Sequence, residues 1–72
     1  MTLDDAPLGE LTLVTSAEVE GDLARRLAEL GIRRGQSVTP LHATSGGGRV
    51  LAVGDTRLAL ARSVLRRIEV SS

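Results

Sequence analysis

Short runs of alternating apolar and polar residues, interrupted by glycine and proline, are the main pattern along the 72-residue chain. Residues 10–17 are rich in Leu, Thr and Val, a composition that favours an extended strand. Residues 49–53 and 56–60 flank the pair Gly54-Asp55. A glycine at the first of two central positions is typical of a tight β-hairpin, so these runs predict two paired strands.

Two further strands follow from the same alternation. Residues 36–43 form an apolar and polar run in which Pro40 has no amide hydrogen to donate, so this strand is expected at an edge or with a bulge. Residues 68–70 alternate as a closing strand. Between them, residues 44–48 contain three consecutive glycines and predict a flexible hairpin loop.

One helix is expected after the first strand. Leu23, Leu27 and Leu30 recur at the spacing of one helical face, which two alanines widen, while the charged residues of this segment lie toward solvent. Asp22 precedes this pattern and is placed to accept hydrogen bonds from the first free amides of a helix that begins at Leu23. We expect the leucine face to pack on the sheet.

The end of this helix carries the sharpest local signal. Gly31 can adopt the left-handed conformation found just beyond a helix C-terminus, and Ile32 can then contact Leu27, as in a Schellman motif. Later in the chain, residues 61–67 predict a short helical turn before the last strand.

These elements predict a mainly β fold in a single domain of residues 1–72, because a chain of this length holds one compact core. Five short antiparallel strands leave long edges unpaired unless the sheet curls shut. We therefore expect a small five-stranded barrel, with one α-helix after the first strand and a short helical turn before the last.

Composition excludes several functions. The chain has no Phe, Tyr or Trp, so it cannot form the aromatic groove that binds proline-rich peptides or the stacking platform that binds single-stranded nucleic acid. It has no Cys, which removes thiol catalysis, thiolate metal sites and disulfides. The acidic start and the absence of about 18 consecutive apolar residues predict a cytoplasmic chain that does not span a membrane.

The net charge of zero hides an uneven distribution. Residues 1–22 contain six acidic residues and no arginine, whereas residues 23–72 contain nine arginines and three acidic residues. Such asymmetry can indicate docking to an acidic surface, but mutual neutralisation in the folded chain is the interpretation we favour. Zero net charge also argues against non-specific binding of nucleic acid.

Catalytic and metal chemistry have few candidates. His42 is the only imidazole, and a metal site would require carboxylates such as those of Asp55 or Glu69 beside it. The three glycines of the loop are not followed by the Lys-Ser/Thr pair of a phosphate-binding loop. We therefore predict no catalytic residue, no metal and no cofactor.

Two separated blocks of sequence resemble the FeoA family. Residues 21–38 resemble its signature, a helix that ends Leu-x-x-Leu-Gly-hydrophobic and continues through a glycine turn into a strand, and residues 54–60 resemble its late hairpin. Residues 3–10 are similar to its opening segment, so the resemblance covers roughly Leu3 to Val70. One departure is Arg49, which follows the glycine loop where the family often has proline.

This resemblance implies a fold and a partner. The family fold is an SH3-like barrel, and its members are thought to assist the membrane GTPase transporter FeoB from the cytoplasmic side. The resemblance thus implies a non-enzymatic accessory protein of ferrous iron transport that binds and modulates a FeoB-type transporter. The alternative is a small metal-sensing or ligand-sensing domain related to the C-terminal domain of iron-dependent repressors.

For partner binding we predict a surface at the C-terminal corner of the helix. Arginines beside a small apolar anchor are a common composition of protein interfaces and suit an acidic partner. The competing interpretation is that the two apolar side chains belong to the core and the arginines are simply solvated. The predicted surface consists of Arg26, Leu30, Gly31, Ile32, Arg33 and Arg34.

Overall fold

Five antiparallel strands and two α-helices make up the protein in the computed structural model, which describes residues 1–72. A short 3₁₀ turn, Ser45–Gly47, lies between the second and third strands. The elements, in chain order, are β1 (Thr12–Ala17), α1 (Gly21–Glu29), β2 (Ser37–Ala43), β3 (Arg49–Val53), β4 (Thr56–Leu60), α2 (Arg62–Leu65) and β5 (Ile68–Ser71).

The strands form one sheet in the order β4-β3-β2-β1-β5. The predicted closed barrel is not formed, because β4 and β5 lie at opposite edges and do not pair with each other. Closure was expected in order to protect the edges, but the β5 edge is protected differently. The chain near Thr2 forms an isolated antiparallel bridge to Glu69 of β5.

Alternate residues of the strands face the core. In β1, Thr12 and Val14 are buried while Leu13 is exposed, and in β5, Ile68 and Val70 are buried. The single buried polar side chain, Thr12, donates its hydroxyl hydrogen to the carbonyl oxygen of Val38 at 2.7 Å, which offsets the cost of burying it. The apolar core comprises Leu3, Ala6, Val14, Leu27, Ile32, Val38, Leu51, Val53, Leu65, Ile68 and Val70.

The segment before β1 contributes to this core. Leu3 is fully buried and Ala6 is 1% exposed. The Arg49 guanidinium donates hydrogen bonds to the carbonyl oxygens of both residues, at 2.9 Å and 2.6 Å. A β3 side chain therefore holds this segment against the sheet.

Pro40 lies at an irregularity, as the sequence indicated. The register of the β2–β3 pairing shifts between Pro40 and His42. The pairing of β2 with β1 covers only Thr12↔Val38 and Leu13↔Ser37 and ends before the proline. The central strand β2 thus accommodates a residue without an amide hydrogen, because its regular pairing with the neighbouring strands is interrupted at Pro40.

The β3–β4 hairpin has the predicted bounds and turn. Its register is continuous from Val53↔Thr56 to Arg49↔Leu60. Gly54 has a φ of +59°, whereas Asp55 has no positive φ. This sign pattern is that of a two-residue turn with glycine first.

Helix α1 begins differently from the prediction. It starts at Gly21, its N-cap residue is Glu20, and no side chain caps the free amides. The predicted capping by Asp22 is wrong, because its carboxylate instead accepts a hydrogen bond from the Arg25 guanidinium at 2.9 Å.

The C-terminus of α1 is a Schellman motif, as predicted. Gly31 has a φ of +99°. Its amide donates to the carbonyl oxygen of Ala28 at 3.1 Å, and the amide of Ile32 donates to that of Leu27 at 2.8 Å. The chain is therefore turned back sharply, and Ile32 is directed into the core.

The glycine-rich segment forms a closed turn. The amide of Thr44 donates to the carbonyl oxygen of Gly48 at 2.8 Å. Gly48 is buried against the end of β4, where an added β-carbon would lie 2.8 Å from the carbonyl oxygen of Leu60. Only a residue without a side chain fits at this position.

Candidate protein-interaction surface

An apolar groove of about 370 Å³ lies between α1 and β4, and we call it the α1–β4 groove. Six of its eight lining residues are apolar, and the other two are Asp22 and Arg26. The apolar ones are Leu23, Leu27 and Leu30 from the helix and Leu58, Ala59 and Leu60 from the strand.

The groove exists because the leucine face of α1 is only partly buried. Leu27 is 2% exposed, but Leu23 is 39% exposed and Leu30 is 45% exposed. The expectation that the whole stripe packs on the sheet is therefore wrong. The reason is geometric: the central leucine reaches the core, while the two flanking ones remain beside the open edge of the sheet.

The predicted partner-binding residues lie in different environments. Arg26 and Leu30 line the α1–β4 groove, and Arg33 and Arg34 are exposed in the turn that follows the helix. Ile32 is 2% exposed and belongs to the core, so it has no surface to offer a partner. The competing interpretation, that both apolar side chains belong to the core, thus holds for Ile32 and fails for Leu30.

Gly31 has a packing role. An added β-carbon would lie 2.8 Å from the Val53 Cγ1 atom, closer than side-chain carbons approach one another. Gly31 therefore lets the helix corner pack directly on β3 and fixes where Leu30 and Arg33 emerge.

Most arginines have no acidic partner. Among the nine, only Arg25 has carboxylates within 4.0 Å, those of Asp22 at 2.9 Å and Glu29 at 3.9 Å. Arg33 donates to the carbonyl oxygen of Ala28 at 3.4 Å, near the C-terminus of α1. The expected mutual neutralisation is therefore not achieved through ion pairs, and the guanidinium groups of Arg26 and Arg34 are free to meet an acidic surface.

A second cavity, also of about 370 Å³, has a different character. It is lined only by Ser63, Arg66 and Arg67, none of which is an apolar residue. It therefore offers charge without an apolar anchor, unlike the α1–β4 groove.

His42 is exposed on β2, with its Nδ1 atom 3.5 Å from the carbonyl oxygen of Ala43. No group of three or more His, Asp or Glu side chains lies together in an arrangement that could hold a metal ion. None of the helices has the length and apolar character needed to cross a membrane.

Comparison with known structures places the fold in the SH3-like class of small β-domains. The FeoA of Stenotrophomonas maltophilia, solved in complex with zinc and described as a prokaryotic SH3 domain protein, matches with a TM-score of 0.79 and 34% identity. The match covers 99% of this chain and 89% of that one. The FeoA domain model matches residues 1–72, and the chain belongs to this family.

Two further structures share the fold. Iron(II) transport protein A of Clostridium thermocellum matches with a TM-score of 0.87 and 24% identity over 97% of this chain, which spans only 44% of that protein. The metal-dependent transcriptional regulator MtsR matches with a TM-score of 0.82 and 14% identity, over 99% of this chain and 35% of the regulator. At these identities the likeness shows the fold alone. No curated protein matches the sequence.

Proposed function

We propose that this chain is a non-enzymatic accessory protein that binds the cytoplasmic part of a FeoB-type GTPase transporter and thereby modulates ferrous iron uptake. Membership of the FeoA family supports a role in ferrous iron transport. The S. maltophilia FeoA has itself been suggested to act as a bacterial ferrous iron transport activating factor.

The observation that carries this proposal is the exposure of Leu30 beside Arg26 in the α1–β4 groove. Interfaces commonly centre on a few apolar anchors surrounded by arginines. Complete burial of an exposed leucine side chain contributes roughly 1.5–3 kcal/mol, so covering the exposed parts of Leu23 and Leu30 supplies part of the driving force. Arg33 and Arg34 add a positive rim that suits an acidic partner face.

A binding titration tests the proposal directly. The purified domain is titrated against the detergent-solubilised transporter, and in parallel against its isolated GTPase domain, at fixed salt concentration. We expect saturable binding that is weakened by the double substitution Arg33→Glu and Arg34→Glu. The matched control is Arg66→Glu with Arg67→Glu, which changes the net charge equally but lies outside the groove and the helix corner.

Two results would contradict parts of the proposal. Unchanged affinity of the folded Arg33→Glu, Arg34→Glu variant would remove the helix corner from the interface but would leave the accessory function standing. The second result is no binding to either target together with tight, stoichiometric ferrous ion binding that is lost in His42→Ala. That combination would favour the sensing-domain alternative, for which the likeness to MtsR supplies a related fold.

A further inference from the structure

The two edges of the sheet differ in whether another segment of the chain is hydrogen-bonded to them. At β5, the chain before β1 supplies a partner: the amide of Leu3 donates to the carbonyl oxygen of Ile68 at 3.0 Å, and the amide of Val70 donates to that of Met1 at 2.7 Å. At β4, no backbone or side-chain hydrogen bond reaches the strand from outside the β3–β4 hairpin. One edge is thus covered, and the other is open.

Hairpin geometry identifies the free groups on the open edge. In a two-residue hairpin the pair next to the turn, Val53↔Thr56, exchanges hydrogen bonds, and hydrogen-bonded pairs then alternate along the ladder. The N–H and C=O groups of Arg57 and Ala59 therefore point away from β3. They form a short row of donors and acceptors without a partner in the chain.

The α1–β4 groove runs along this row. Three consecutive residues, Leu58, Ala59 and Leu60, line the groove. Because successive side chains of a strand point to opposite faces, three consecutive residues reach one groove only along the strand edge. The free backbone groups of β4 and the exposed leucines of α1 therefore border the same space.

The open edge also lacks the usual protection. Exposed edge strands are commonly blunted by proline, by a bulge or by several charges. β4 contains no proline, its register with β3 is continuous, and Arg57 is its only charged residue. An edge of this kind is a template for another strand.

We propose that the open edge of β4 takes up an extended segment of the partner transporter as a sixth strand of the sheet. This inference rests on the function proposed above and specifies how the partner is held. Main-chain hydrogen bonds to Arg57 and Ala59 supply affinity, and alternate apolar side chains of the segment pack against Leu23 and Leu30 of α1. The segment carries acidic residues, because neither Arg26 nor Arg57 has a carboxylate within 4.0 Å in this chain.

The substitution Ala59→Pro tests strand addition with little effect on the hairpin. Proline removes the outward N–H and places its ring on the open edge, while an edge strand tolerates proline where the amide faces outward. Ala61→Pro is the matched control, since Ala61 is exposed, has a φ of −69° that suits proline, and its amide makes no backbone hydrogen bond. We expect Ala59→Pro to weaken binding to the solubilised transporter at least about tenfold and Ala61→Pro to leave it unchanged.

A second measurement needs no variant. Hydrogen exchange of the wild-type domain, alone and saturated with the transporter, should show slower exchange of the Arg57 and Ala59 amides in the complex. This result supports strand addition even if Ala59→Pro fails to fold. Unchanged exchange at both amides in the saturated complex would overturn it.

The outcomes separate the two proposals. If the wild-type domain binds and Ala59→Pro binds equally well, strand addition is wrong and the accessory function stands. If the wild-type domain does not bind the transporter at all, both proposals fall. If the wild-type domain forms a dimer that Ala59→Pro abolishes, the occupant of the edge is a second copy of this chain, and the proposed transporter segment is ruled out.

Discussion

Gly31 and Val53 are in direct contact across the junction of α1 and β3, and a single β-carbon added to Gly31 would lie 2.8 Å from Val53 Cγ1. The same glycine has a φ of +99° and ends the helix. One residue therefore satisfies two separate requirements, a left-handed backbone and a close approach of the helix corner to the sheet. Both requirements determine the position of Leu30 and Arg33 on the surface.

These two requirements can be separated by substitution. Gly31→Ala combines the left-handed backbone, which costs roughly 1–2 kcal/mol for a residue with a side chain, with overpacking, which costs roughly 1–3 kcal/mol. Gly35→Ala has only the backbone cost, because Gly35 has a φ of +90° but nothing lies within 4 Å of an added β-carbon. Chemical denaturation should show that Gly31→Ala lowers the free energy of unfolding more than Gly35→Ala. Equal losses would mean that Val53 moves aside freely.

The leucines of α1 should divide into a stabilising residue and binding residues. Leu27 is 2% exposed, so Leu27→Ala should lower the free energy of unfolding by roughly 2–5 kcal/mol. Leu30 is 45% exposed, and Leu30→Ala should change that free energy by less than about 1 kcal/mol while weakening binding to the transporter. Denaturant unfolding and the binding titration measure the two effects. A large loss of stability in Leu30→Ala would show that this side chain belongs to the core.

Local features of the fold were predictable because they depend on neighbouring residues. The hairpin bounds follow from Gly54-Asp55 between two alternating runs, and the helix end follows from Gly31 and Ile32 at fixed spacing. The irregular pairing at Pro40 follows from its missing amide hydrogen. In each case one residue type restricts the backbone whatever the rest of the chain does.

Features that depend on distant parts of the chain were not predictable. Nothing in residues 1–6 shows that Leu3 and Ala6 enter the core, because the groups that hold this segment lie far along the chain, among them Arg49, more than 40 residues later. The sheet is open because β4 and β5 lie at opposite edges, and Leu30 is exposed because it borders the groove between α1 and β4. The periodicity of the sequence reports neither of these arrangements. The candidate groove could therefore be located only in the folded structure.

Arg49 should matter more for stability than its charge suggests. Its guanidinium donates hydrogen bonds to the carbonyl oxygens of Leu3 and Ala6, and bonds to charged groups contribute roughly 1.5–3 kcal/mol. Arg49→Met should therefore lower the free energy of unfolding by about 2 kcal/mol and speed hydrogen exchange at the Leu3 amide.

The matched control is Arg66→Met, since Arg66 is exposed and its side chain makes no hydrogen bond or ion pair. We expect this variant to differ from the wild-type domain by no more than about 0.5 kcal/mol. If both variants lose the same stability, the carbonyl contacts of Arg49 do not hold the segment before β1.

Arg25 and Arg26 are neighbours on α1 that should affect binding differently. Arg25 is already paired with Asp22 and Glu29, whereas Arg26 has no acidic partner and lines the α1–β4 groove. Charges at an interface mainly accelerate association, and salt screens this effect. Arg26→Gln should weaken binding to the transporter roughly two- to fivefold at low salt, equivalent to about 0.5–1 kcal/mol, and should reduce the dependence of the association rate on ionic strength.

Arg25→Gln removes the same formal charge and should have a smaller effect on both quantities. Identical effects of the two variants, measured by stopped-flow association at several salt concentrations, would indicate that only the net charge of the domain matters and that Arg26 does not face the partner.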